Sequence, residues 1–330
     1  MRNLLQKKGK LLFVGFFVLL TLTGCSAPRG TDGKTKVDQI IASEEVTFKK
    51  DQVNVTDIRD EKLKREYAKL KKDDDIVIQP MSWGKAWSAG WFDGLIVWPL
   101  ATLINKVAAV SDAGFGIIVT TLLIQTIVFL FTRRSQVSTQ RMQEIQPEIQ
   151  KIQRKYAGRN DQDSQMKMYQ ETQALYQKYD IHPFGNMLVM FIQMPIMMGM
   201  YYATVRAASV INGTFMGIGL EETPIHAFQH GSIGVIVIYI LMVVLQFVTT
   251  QLPNWLRKSR EKNSGKKKHE YRNQGKDDMS NTMNTTMYMM TIMFAFIYIS
   301  WPAAMSFYWC VTSIFRIAQN LFIHKTLPVS

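Results

Sequence analysis

The sequence predicts an all-α membrane protein: five transmembrane helices, a cytoplasmic helical hairpin and an N-terminal interfacial amphipathic helix. Three observations carry that expectation: five long apolar stretches without an acidic residue, an uneven share of Lys and Arg among the connectors, and a crowd of tryptophans before the first stretch. The stretches run at about 115–131, 186–205, 233–250, 283–299 and 303–323. Each is close to the roughly 17–25 residues that a helix needs to cross hydrocarbon.

The chain opens with Arg2, Lys7, Lys8 and Lys10, an apolar run from Leu11 to Leu20, and then Leu22-Thr23-Gly24-Cys25. A basic region, a short apolar region and small residues before a cysteine resemble a bacterial lipoprotein signal. Residues 1–24 are therefore expected to be removed, leaving Cys25 lipidated on the outer face of the plasma membrane. The formal charge falls from +13 to +9, because four basic and no acidic residues leave. The other cysteine, Cys310, lies inside the last stretch, so no disulfide framework is indicated.

Residues 25–82 are polar and read as an extracytoplasmic tether, loosely ordered. Residues 83–112 follow, where Trp87, Trp91, Leu95 and Trp98 share a helical face at spacings of 4, 4 and 3. Lys85, Asp93 and Lys106 punctuate this segment, which suits a helix lying in the interface better than a sixth span.

The five-span core occupies residues 113–323. With Cys25 outside, residues 132–183 and 252–280 fall in the cytoplasm and hold nine Lys/Arg each, whereas the external 207–230 holds none. That is the asymmetry of the positive-inside rule. In the first loop Met142, Ile145, Ile149, Ile152 and Tyr156 recur at 3, 4, 3, 4, the seam of a packed helix that Pro147 kinks or restarts. After a break at Gly158–Asp163, Tyr169, Tyr176 and Tyr179 mark a second helix, so the loop reads as a hairpin. It is either a self-packed spacer or a docking element for a cytoplasmic machine.

The second loop, with Lys266, Lys267 and Lys268 among Gly, Ser and Asn, has no apolar stripe and reads as disordered. Its charge fixes orientation, or attracts anionic lipid or ribosomal RNA. Residues 324–330 form a cytoplasmic tail.

Inside the stretches polar residues recur: Thr120, Thr121, Gln125, Thr126, Gln193, Gln246, Thr249, Thr285, Thr291, Thr312, Ser313 and Arg316. An amide moved from water into hydrocarbon costs about 4–8 kcal/mol, so these groups should face one another or trapped water. On the last stretch Thr312, Ser313, Arg316 and Asn320 follow Trp309 at offsets of 3, 4, 7 and 11, one helical face.

Several strings resemble the YidC/Oxa family of membrane protein insertases, in its Gram-positive lipoprotein form. They are Ile145-Gln146-Pro147-Glu148 with Lys151 and Tyr156, Ile192-Gln193-Met194-Pro195-Ile196, and Trp301-Pro302-Ala303-Ala304 leading into Phe307-Tyr308-Trp309. The resemblance implies five helices around a hydrophilic groove that opens to the cytoplasm and the bilayer and is closed outside. In that family the first span presents an arginine to the groove; here Leu123-Ile124-Gln125-Thr126-Ile127 carries Gln125 at the matching position. Thr121, Gln125, Gln193, Gln246, Trp309, Thr312, Ser313 and Arg316 are the expected groove residues. Arg316 either supplies the positive charge missing at position 125 or snorkels to the inner headgroups.

The implied partners are nascent membrane proteins and membrane lipid, with the ribosome and a Sec translocation channel beside them, and no small-molecule substrate. The rival reading is a small transporter or channel, but such proteins use intramembrane Asp, Glu or His or repeated halves. His182, His226, His230, His269 and His324 are scattered with no metal-ligand spacing, and no phosphate-binding glycine loop exists. No catalytic residue, cofactor or metal is expected.

Overall fold

Between residues 28 and 80 the apolar residues sit two apart in short runs, as in Phe48 between Val46 and Lys49, Val53 with Val55, and Ile76 with Ile78. A period of two makes strand rather than helix. The computed structural model, which describes residues 28–58, 60–159, 161–181, 183–263 and 277–326, pairs two of these runs. Strands β1 (Val46–Lys49) and β2 (Asp75–Ile78) are antiparallel, with Val46 opposite Ile78 and Phe48 opposite Ile76. Phe48, Ile76 and Ile78 turn inward onto Val37, Ile40, Val53, Val55 and Ile58, while Val77 points out.

Between the strands, α1 (Glu61–Ala68) starts where the Asp60 carboxylate accepts the N–H groups of Lys62 and Leu63, and it lays Leu63 and Tyr67 on the same core. The expected loose tether is thus corrected: residues 28–80 fold. Ala208 and Ile211, remote in sequence, complete this core.

The described chain divides into two units, one running up to Gly116 and including Gly199–Gly213, the other made of Ile117–Met198 and Thr214 onward. In the first unit the tryptophan segment is two helices rather than one. The α2 helix (Trp83–Ala89) stops at Gly90, whose φ of 158° leaves the helical region, and a π turn at Asp93–Val97 leads into α3 (Trp98–Ala108). A Cβ on Gly94 would lie 2.8 Å from the Trp87 Cα, so glycine permits this close return. Trp83, Trp87, Trp91 and Leu95 are exposed, and Ala86, Val97, Leu100, Ala101 and Ile104 are buried. Trp98 departs from the expected outward face: its indole N–H donates to the Met81 carbonyl at 2.7 Å.

The same unit holds the last turns of α7 (Pro183–Arg206). Arg206, 3% exposed, bonds Asp93 Oδ1 at 2.7 Å and the Gln39 carbonyl at 2.7 Å. Asn105 donates to the Ile41 carbonyl at 2.7 Å, and its own oxygen accepts from Ser209 N and Oγ. Ile41 pairs with the backbone beside it, taking the N–H of Ala208 and giving its own to the Arg206 carbonyl.

The second unit begins within α4 (Ala113–Glu144), 32 residues or about 48 Å of helix at 1.5 Å per residue. The helix runs well past residue 131, the expected end of the first stretch. It gives way at Ile145 to α5 (Gln146–Lys155), which carries Pro147 in its first turn as expected, and then to α6 (Gln162–Lys178), capped by the Asp161 carboxylate on Ser164 N. Ile145, Ile149 and Ile181 form the hairpin's core with Met142, Leu175, Tyr176 and Tyr179 around them. Two tyrosines add polar ties: Tyr179 donates to Glu148 at 3.0 Å and Tyr156 to Glu171 at 2.8 Å. Tyr169, expected beside Tyr176, is exposed instead.

Beyond α7 the chain forms a two-residue hairpin, β3 (Thr214–Phe215) and β4 (Ile218–Gly219), turning on Met216 (φ 51°) and Gly217 (φ 77°). Helices α8 (Pro224–His230), α9 (Ile233–Asn263), α10 (Asp277–Tyr298) and α11 (Ala303–Thr326) follow. The N-terminus of α11 is satisfied from afar: Ala303 N donates to the Glu222 carbonyl at 2.8 Å and Ala304 N to that of Leu220 at 2.9 Å.

Among the described residues two helices, Ala113–Glu144 and Ile233–Arg257, are long and apolar enough to cross a membrane by length and composition. Helices α7, α10 and α11 coincide in position with the other three expected stretches. The second basic loop is shorter than the sequence suggested, since α9 continues through Pro253 to Asn263 and α10 starts at Asp277. Lys266–Lys268, the signal segment with Cys25, and the last four residues lie outside the described residues.

Candidate functional site

Polar side chains from three helices of the second unit meet α11. On α4, Gln125 donates to the Thr312 hydroxyl at 3.3 Å. On α7, Gln193 donates to the Tyr308 hydroxyl at 3.4 Å. On α9, the Gln246 carbonyl oxygen accepts from Ser313 at 3.3 Å, and Thr249 reaches the Ser313 carbonyl at 3.4 Å. Each glutamine therefore finds its partner on the same helix. Tyr308 and Thr312 lie one turn of α11 apart, and Ser313, next to Thr312, is turned by about 100° from it, toward α9.

Tyr308 is the hub that sequence reasoning missed. It is fully buried, and its hydroxyl accepts from Gln193 at 3.4 Å, with Gln125 and Thr312 beside it. The available signal was its place one turn before Thr312; instead its neighbour Trp309 was chosen for the face. Trp309 is also buried, 5.1 Å from the Tyr298 ring and 5.4 Å from that of Tyr308.

Thr121 is the weakest member of the expected set. It is buried, but its hydroxyl donates to the Ile117 carbonyl of its own helix at 2.6 Å, so it adds no cross-helix bond. Its neighbour Thr120 keeps a buried hydroxyl that has no partner among the described residues, as does the indole N–H of Trp309. An unsatisfied buried donor costs about 1–3 kcal/mol.

Burial grades along the site. Gln125, Thr312 and Ser313 are 3%, 0% and 1% exposed, whereas Gln193, Gln246 and Arg316 are only partly covered. Of the two expected environments, one another or trapped water, Gln125 has the first: it faces Thr312 in a closed seam, and the less buried residues lie toward its margins. Arg316 lies one turn beyond Thr312 and makes no hydrogen bond or ion pair among the described residues; Tyr298 and Tyr308 are the polar groups in its electrostatic reach. Cys25, the expected lipidation site, falls outside the described residues.

The wider surface of the bundle is apolar. Leu122, Leu123, Ile127, Val237, Leu241, Val244, Met289, Ile292, Met293, Phe296 and Ile314 are all exposed, a belt that water would not tolerate and lipid would. Outside the belt the hairpin is charged. There the Lys155 ammonium, followed by the Tyr156 hydroxyl, bonds the Glu171 carboxylate and holds it below the usual carboxylate range.

Comparison with known proteins gives one consistent family. The sequence pattern of the family described as 60Kd inner membrane protein matches residues 104–329, which leaves the folded lobe of residues 28–80 outside the match. Membrane protein insertase YidC 1 of Streptococcus pyogenes serotype M3 is 31% identical over 243 residues, covering 73% of this chain and 77% of that one. Membrane protein insertase MisCA of Bacillus subtilis is 30% identical over 239 residues, 72% of this chain and 80% of that one. Membrane protein insertase YidC of Oceanobacillus iheyensis is 31% identical over 242 residues, 73% and 86% respectively.

Proposed function

The chain belongs to the 60Kd inner membrane protein family, whose members include the YidC insertases, and from that premise we propose that it inserts client helices into the plasma membrane along the polar face of α11. One observation carries the reading: Gln125, Gln193 and Gln246, on three different helices, each bond the same turn and a half of α11, at Thr312, Tyr308 and Ser313. Amides scattered for helix pairing alone would distribute their partners.

In this reading α4, α7, α9, α10 and α11 are the five spans, the α5–α6 hairpin and the α9–α10 connector face the cytoplasm, and α2–α3 lies in the outer interface with its tryptophans toward lipid. The sidedness rests on the Lys and Arg of the two connectors and on the lipoprotein-like start. Within the first unit Arg206 is locked to Asp93 and Gln39.

Arg316 is thirteen residues into α11, about 20 Å of helix from its outer end. A charged residue at mid-bilayer costs a client about 2.5–3.5 kcal/mol on insertion scales. A guanidinium with no acidic partner among the described residues offers an acidic client tail a counter-charge at that depth, and the amides and hydroxyls beside it replace water along the way. The client's apolar segment then leaves sideways into lipid, driven by its own hydrophobicity, and no nucleotide is consumed. The exposed hairpin is the surface toward the ribosome or Sec channel.

Purified protein in vesicles tests the reading. Insertion of a short client with an acidic tail, without flux of ions or small solutes, supports it; flux without insertion would make the protein a transporter or channel. Arg316→Ala should reduce insertion of acidic-tailed clients severalfold while sparing neutral ones. Unchanged insertion would return Arg316 to an inner-headgroup anchor.

A further inference from the structure

The lobe of residues 28–80 holds an open cavity of about 630 Å³ whose wall includes Arg29, Thr31, Lys36, Thr56, Asp57 and Lys64. Backbone pairing brings these distant residues together. A turn at residues 30–33, in which Gly33 (φ 77°) donates its N–H to the Gly30 carbonyl at 3.0 Å, sets Arg29 opposite Thr35, and Lys36 pairs in turn with Asn54. The Asn54 side-chain oxygen takes the Asp57 N–H at 2.9 Å and bends residues 54–57. A Cβ on Gly30 would run into the Asn54 amide and lie 2.7 Å from Asp57 Oδ2, so glycine permits the close approach. Lys64 arrives from α1.

The one carboxylate in the wall is already engaged. Asp57 Oδ2 accepts from Thr31 N at 2.7 Å, from Thr31 Oγ1 at 3.0 Å and from Asn54 Nδ2 at 3.3 Å, and these bonds, the Thr31 backbone first, hold the carboxyl below its usual range. It offsets one of three cations and leaves the wall with a formal charge of +2. The Lys36 ammonium makes no hydrogen bond or ion pair among the described residues, with the Asp57 charge in its electrostatic reach. Lys64 meets Glu61 at 3.6 Å, but both side chains are exposed and such a pair is weak. The Thr56 hydroxyl accepts from Asn54 Nδ2 at 3.2 Å and keeps its own proton to give.

We infer that this cavity binds a phosphate group, carried by an anionic lipid headgroup or free in solution. A phosphate presents acceptor oxygens in several directions, which suits an Arg, two Lys and a hydroxyl arriving from separate segments; a carboxylate has two oxygens on one side. The volume leaves room for the alcohol to which the phosphate is esterified. Arg29 lies four residues past Cys25, and four residues span at most about 14 Å, so a lipid on Cys25 would keep the cavity within reach of headgroups. The cavity precedes the family match at residues 104–329, so the inference stands apart from the insertase reading, and only its lipid source rests on a lipidated Cys25.

Hydrogen exchange of the full-length protein in nanodiscs, read at the amides of residues 29–36 and 54–58, tests the site. In phosphatidylcholine discs, saturable slowing by inorganic phosphate identifies the free anion as a ligand; slowing by phosphatidylglycerol in phosphate-free buffer identifies the headgroup. Lys36→Gln and Arg29→Gln should each weaken the response roughly tenfold, the loss of a charge-assisted bond, and Lys36→Arg should retain it. Lys72→Gln, which removes an exposed charge of the same lobe outside the cavity wall, should leave the response unchanged. Wild-type exchange at β1 and β2 without ligand shows that each variant is folded. Slowing by neither source, equal slowing by acetate, or equal weakening by Lys72→Gln overturns the site.

Discussion

Replacing Thr312 by valine keeps the volume of the side chain and removes the one atom that receives the Gln125 amide. Gln125 is 3% exposed and Thr312 fully buried, so no bulk water stands ready to replace the bond. An orphaned buried donor costs about 1–3 kcal/mol. The 3.3 Å length and the Tyr308 hydroxyl within reach put this case at the low end, about 1 kcal/mol, or roughly a fivefold shift in the folding equilibrium. Gln125→Met should cost less, because the Thr312 hydroxyl can turn back to a carbonyl of its own helix. Removing both partners leaves nothing unpaired, so the double variant should be no less stable than Thr312→Val, with a coupling energy of roughly 0.5–1 kcal/mol. Unfolding in mixed micelles, followed by helical circular dichroism, reads all four corners of the cycle. Additivity within about 0.3 kcal/mol would refute the bond and, with it, the idea that α11 gathers the polar groups of its neighbours.

Other expectations follow from the same geometry. Arg206→Met strands Asp93 beside a lost partner and should destabilise by about 3–5 kcal/mol, seen as early proteolysis of the N-terminal lobe, whereas Asp93→Asn, which still accepts a hydrogen bond, should cost less. Asp161→Ala removes the cap of α6 and should raise amide exchange in its first turn. The carboxyl of Glu171 is held low in the fold by Lys155 and then Tyr156, so its contribution to the hairpin is complete above the ordinary carboxylate pKa and is lost as the pH falls through the lowered value. Exchange rates across residues 146–178 should accordingly rise on acidification below that range, and Glu171→Gln should abolish this pH dependence. A rise that persists unchanged in Glu171→Gln would assign it to other groups.

Residues with local periodicity were legible before any coordinates. The 3.5-residue seam of Met142, Ile145 and Ile149 announced the hairpin, Pro147 announced where its first helix restarts, and the apolar stretches announced α4, α7, α9, α10 and α11. The polar face of α11 was equally visible, because offsets of 3, 4 and 7 need only the pitch of a helix. What stayed hidden depends on partners far along the chain. Residues 28–80 looked like a tether because their core is completed by Ala208 and Ile211, and Trp98 looked outward because the Met81 carbonyl that takes its N–H lies across a turn. The place of Tyr308 depends on Gln193, more than a hundred residues earlier, which donates to its hydroxyl.

By itself, then, the sequence determined which long segments are helical and apolar and which connectors hold the charges, since each follows from composition and pitch within a few turns. Tertiary structure alone decided that three glutamines share one helix as their partner and that an N-terminal lobe folds against the end of α7. Hydrogen-bond partners and core neighbours are chosen by distance in space, and a linear pattern of residue types carries no distance between positions that the fold brings together.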